Sequence, residues 1–143
     1  MNKTLLKRSL LAASAVMALG QSATSSAHEL IDALGDALGA TDLYLIYCGS
    51  GTGRLATAIS AGSGAGQVTS LTYYDGALTS TSDAASNDGQ PGPTAYLSGG
   101  SQYPFFVAVT KTVAGPQVYR FTYHCEGSGG AHTDTTIYQH QNQ

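Results

Sequence analysis

Histidine is the residue type in this chain best placed to do chemistry. There are four, His28, His124, His132 and His140, and three of them fall in the last twenty positions. Neutral imidazole binds copper, zinc and nickel well, and a histidine at a newly cut N-terminus adds its α-amino nitrogen to the ring, a pairing that suits Cu(II). His124 and His132 would come together if the last strand doubled back on the one before it. The spacing is not that of a tight His-x-His ligand pair, so the competing reading is of polar residues at a strand end and in a tail. Copper is therefore the one cofactor the pattern suggests, through His28, His124 and His132, and nothing else in the chain requires a cofactor.

Other candidates are weaker. Asp83, Asn87 and Asp88 lie in a polar stretch whose oxygens could hold calcium, but the alternating acidic positions and terminal Glu of an EF-hand are missing, and Asp and Asn are ordinary turn formers. Gly49-Ser50-Gly51-Thr52-Gly53-Arg54 lacks the Gly-Lys-Ser/Thr end of a phosphate loop and is read as a turn. No Gly-x-Ser-x-Gly elbow is present. The two cysteines, Cys48 and Cys125, are expected to pair with each other rather than act as nucleophiles. The sequence is thus read as that of a protein that is not an enzyme.

Lys3, Lys7 and Arg8 precede a short apolar run, Leu10 to Leu19, and then a small polar stretch ending at Ala27. That is the pattern of a secretory signal peptide over residues 1–27, too short to span a bilayer. Cleavage after Ala27 would leave His28 as the first residue, although Ala18-Leu19-Gly20 would also be accepted. Removing the segment takes away three of the six basic residues, leaving Arg54, Lys111 and Arg120 against nine carboxylates, a net charge near −6 (3 − 9). Such a balance excludes a basic stripe that tracks nucleic-acid phosphates and disfavours an anionic membrane surface. The expected product is a secreted chain, periplasmic or extracellular, with no membrane span, and in that compartment a single even pair of cysteines is normally oxidised.

These residues must be held by strands. From Tyr103 to Cys125 apolar residues alternate, with Phe105, Val107 and Val109 before the Ala114-Gly115-Pro116 break and Tyr119, Phe121, Tyr123 and Cys125 after it, which predicts a β-hairpin with one buried face. Cys125 then points inward and His124 outward. Cys48 shares a face with Tyr44 and Ile46, so both thiols point into the core from different strands. Leu30, Leu34 and Leu38 recur every four residues and suggest a short helix in 28–40, weakened by Gly35 and Gly39. Further strands are expected over Leu43 to Cys48, Arg54 to Ser60, Gln67 to Tyr74, Thr94 to Ser98 and about Thr133 to Tyr138, and the polar span Asp75 to Pro93 reads as a long surface loop. The expected organisation is an N-terminal segment at 28–40, one β-sandwich domain at 41–138 and a polar tail at 139–143. The fold class is all-β, a small two-layer β-sandwich of seven to eight antiparallel strands.

The order Asp42-x-Tyr44, Leu55 and Ile59, Val68 to Asp75-Gly76, Gly99-Gly100 with Tyr103, Phe106-Val107-x-Val109, and Gly115 with Tyr119-x-Phe121 resembles the bacterial pre-peptidase C-terminal domain over Thr41 to Cys125. The resemblance implies a secreted, jelly-roll-like β-sandwich that accompanies exported proteases and other enzymes and is not itself catalytic. Two functions follow as expectations. One is a non-catalytic module for extracellular or cell-surface interaction or self-assembly, whose partner is another protein or a second copy; the other is an exported copper-binding protein using His28 with His124 and His132.

Overall fold

The computed structural model describes residues 27–64, 66–84 and 88–143. Ten strands occupy most of them: β1 (His28–Leu34), β2 (Thr41–Cys48), β3 (Thr52–Ala61), β4 (Gln67–Tyr74), β5 (Ala77–Ala84), β6 (Ala95–Ser98), β7 (Phe105–Lys111), β8 (Gln117–Gly127), β9 (His132–Thr133) and β10 (Thr135–Gln141). They form two packed antiparallel sheets. The front sheet runs β1-β8-β3-β6, with β9 also on β8, and the back sheet runs β10-β2-β7-β4-β5. Among these contacts β1 pairs with β8, β2 with β7, β3 with β6 and β4 with β5. That nesting is one long antiparallel ribbon of eight strands rolled over on itself, the topology of a jelly roll. The all-β sandwich expected from the sequence is present, with more strands than the seven or eight anticipated.

Burial follows the period of two that strands impose. Leu34, Tyr44, Ile46, Leu55, Ile59 and Val68 pack with Phe105, Val107, Val109, Tyr119 and Phe121 between the sheets. Cys48 of the back sheet and Cys125 of the front sheet are joined by a disulfide with a Cα–Cα distance of 5.7 Å. The bridge therefore crosses the sandwich. Polar side chains cross it too: Tyr119 donates to Asp42 Oδ2 at 2.6 Å and Tyr44 to Asp32 Oδ2 at 3.0 Å, with the two phenol oxygens in contact between the sheets. Burial pushes the Asp42 carboxyl and both phenols above their ordinary ranges.

Three expectations are corrected. Residues 28–34 form β1, not the start of a helix, because Leu30 and Leu34, four apart, also share one face of a strand; Leu38 lies beyond it and is exposed. The Tyr103 to Cys125 segment is not a hairpin, since β7 lies in the back sheet and β8 in the front, and the chain crosses between them at Thr112 to Pro116. The alternation survives because facing strands of a sandwich bury the same parity as paired ones. The surface loop expected from Asp75 to Pro93 begins instead as a tight hairpin into β5, with Asp75 at φ 44° and Gly76 at φ 83°, the left-handed pair that an Asp-Gly turn supplies. The signal-peptide expectation falls, apart from Ala27, outside the described residues.

Reduction of Cys48–Cys125 is expected to cost about 2–5 kcal/mol in a denaturant titration, since the bond closes a long loop in the unfolded chain. Phe121→Ala, wholly buried, is expected to lose roughly 3–5 kcal/mol, and Thr122→Ala on the outer face much less. Equal losses for the two would contradict the assigned faces.

Candidate functional site

The register of β8 brings three of the histidines to one edge of the front sheet. β1 ends its pairing with His28 opposite Tyr123, and β9 takes up the same side of β8 two residues later, with Thr133 opposite Cys125 and His132 opposite Glu126. The Gly-rich turn Ser128–Gly130, with Gly129 and Gly130 both at positive φ, folds the chain back to make this possible. His28 and His132 consequently have ring centroids 5.2 Å apart, and His124 and His132 6.0 Å apart. His140 lies away from this edge, beside Leu43 and Phe106 at the rim of the back sheet.

His124 is held by its own sheet. Ala56, its neighbour on β3, leaves room for the ring, and Nε2 lies 2.5 Å from Glu126 Oε1. Glu126 also takes Arg54 Nε and Nη2, each at 2.5 Å, and the Arg54 guanidinium lies 4.2 Å from the Tyr96 ring centroid, a cation–π contact. Burial would raise the Glu126 carboxyl, but Arg54 and His124 together hold it below the usual range. An ionised carboxylate only accepts, so His124 Nε2 carries the proton. In neutral His124 the lone pair then sits on Nδ1, which is buried and has no hydrogen-bond partner among the described residues.

The calcium candidates are dispersed. Asp83 Oδ2 accepts the Ala61 backbone N–H at 2.8 Å and Asp88 Oδ1 that of Gln90 at 2.9 Å, while Asn87 lies outside the described residues. Among the described residues no three His, Cys, Asp or Glu side chains are already disposed around one point as metal ligands.

A second feature escaped the sequence reading. Across the outer face of the back sheet, Tyr138 stands opposite Leu45, Leu45 opposite Phe106, Phe106 opposite Tyr73 and Tyr73 opposite Leu78, one apolar row spanning all five strands. Phe106, Tyr138 and Leu78 are 51%, 58% and 64% exposed, and Tyr47 extends the row on β2. No Asp, Glu, Lys or Arg occupies an outward position of these strands. The outer face of the front sheet differs, carrying Glu29, Arg54, Arg120, His124 and Glu126. The alternation that marks each strand was visible in the sequence, but the row exists only through the register between strands.

Because its folded pKa is depressed, Glu126 contributes stability that is fully present above its unfolded value near 4.5 and is lost as pH falls through the lower folded value. Glu126→Gln is accordingly expected to be less stable than wild type at pH 6, with the gap narrowing as unfolding is followed down through that window. A gap independent of pH would contradict an ionised Glu126 carboxylate held by its partners.

No known family model matches the chain, and no curated protein or solved structure matches it significantly.

Proposed function

We propose that this protein is an exported, non-catalytic interaction module that associates with a second copy of itself through the outer face of the back sheet. The observation that carries the reading is the uncharged apolar row from Tyr138 to Leu78. Exposed apolar patches of this extent mark association surfaces on soluble proteins, and burying this one desolvates no ion. Five strands about 4.8 Å apart, each about 25 Å long, give a face of roughly 600 Å² in projection. That is the order of the ~800 Å² each partner contributes to a standard interface.

The row also fits its own copy. β7 is the central strand of the back sheet, and a two-fold axis lying along it sets Tyr138 against Leu78, Leu45 against Tyr73 and Phe106 against Phe106. Large side chains then meet smaller ones on either side of a central aromatic pair, as an isologous contact requires. The inter-sheet disulfide supports export to an oxidising compartment. The jelly-roll strand order is the one that the resemblance to the pre-peptidase C-terminal domain implies.

Sedimentation of the protein cleaved after Ala27 is expected to show a dimer in the micromolar range. Phe106→Lys, which sets two like charges face to face on the axis, is expected to give a folded monomer with the disulfide intact. A wild-type protein that stays monomeric at all concentrations would overturn the reading, as would a Phe106→Lys variant that dimerises equally well. Retention of a monomer on an insoluble polysaccharide would assign the face to a carbohydrate and equally overturn self-association.

A further inference from the structure

We infer that His124, His132 and His28 form a binding site for a divalent transition metal at the β1/β8/β9 edge, with Cu(II) the tightest-bound ion. The site is on the sheet opposite the apolar row and does not depend on it. Three observations converge. Residues far apart in sequence bring their imidazoles to one edge only because β1 and β9 lie end to end along β8. With a metal about 2 Å from a ring nitrogen, two imidazoles sharing it have centroids roughly 4.5 to 6.3 Å apart. The observed separations of 5.2 and 6.0 Å fall inside that range.

The third observation is the state of His124. Its proton is fixed on Nε2 by Glu126, which leaves Nδ1 as an unpartnered, buried lone pair. A buried polar atom without a partner calls for a reason, and a carboxylate on the far nitrogen is the usual support of a metal-bound histidine, fixing the tautomer and raising basicity. Arg54 completes the arrangement by anchoring Glu126 from the other side. The rings are not yet disposed around one point: His124 and His132 share the outer face of the front sheet, while His28, opposite Tyr123 and stacked on its ring at 5.7 Å, lies on the inner face at the end of β1. Binding therefore turns the exposed His132 toward His124 and brings His28 round the strand end beside His132. Cleavage after Ala27 would add the α-amino nitrogen of His28 beside the same ring. Imidazole ligands suit copper, nickel and zinc, and among divalent ions of this series copper binds most tightly to a given nitrogen site.

The test is Cu(II) titration of the protein cleaved after Ala27, followed by electron paramagnetic resonance. One ion per chain is expected, with nitrogen hyperfine structure, and binding weakens as pH is lowered, because protons compete for the same nitrogens. His132→Ala and His124→Ala are each expected to weaken binding at least about tenfold, with the melting temperature of the metal-free His132→Ala protein unchanged. Because His124→Ala also removes a partner of Glu126, the exposed His132 variant decides if the other fails to fold. Affinity in His132→Ala within about twofold of wild type would overturn the site, as would a spectrum free of nitrogen coupling.

Discussion

The bond between Cys48 and Cys125 joins β2 of the back sheet to β8 of the front sheet, and both surfaces with functional promise are built from these two strands. Tyr47 and Leu45 precede Cys48 on the uncharged face, and His124 and Glu126 flank Cys125 on the charged one. Alternation explains the arrangement: a cysteine pointing inward forces its neighbours outward. A small domain has a limited core, and a cross-link over 77 positions supplies about 4 kcal/mol by the loop-entropy argument. The Tyr119–Asp42 and Tyr44–Asp32 hydrogen bonds tie the two sheets together as well.

What holds the sheets together also separates their outer faces. Among the three basic residues after Ala27, Arg54 and Arg120 point out from the front sheet, paired with Glu126 and Glu29. Lys111 is buried and donates to the Gly35 and Gly115 carbonyls. No lysine or arginine is left for the outer face of the back sheet. That face is hydroxyls, the Gln67 and Gln141 amides, the His140 imidazole at the rim and apolar side chains, so one side of the molecule is suited to close contact that buries no ion pair and the other to water.

Period-two patterning made the buried face of β7 and β8 legible, along with the inward aim of both cysteines and hence their pairing. Patterning could not tell whether β7 and β8 were neighbours in one sheet or faced each other across two, since either arrangement buries Phe105 and Phe121 alike. Leu30 and Leu34 were ambiguous for a related reason: a spacing of four satisfies a helical turn and two strand repeats equally. β5 was hidden by its composition, because Thr79, Thr81 and Ser82 form a strand without an apolar stripe, and the Asp75-Gly76 turn was its only local signal. The histidine edge was half visible. His124 was expected to face outward and His132 to return toward it, but His28 joins them through β1, a strand the sequence had presented as a helix.

Burial of the apolar face of the back sheet against a second copy is reported directly by its tyrosines. Tyr47, Tyr73 and Tyr138 stand on the back sheet, while Tyr96 of the front sheet and Tyr103 of the β6–β7 loop are similarly exposed and serve as internal controls. Hydroxyl-radical footprinting at increasing protein concentration should show Tyr47, Tyr73 and Tyr138 becoming protected together while Tyr96 and Tyr103 keep their reactivity. Protection that falls on Tyr96 instead, or that fails to appear on the back-sheet tyrosines at any concentration, would contradict it.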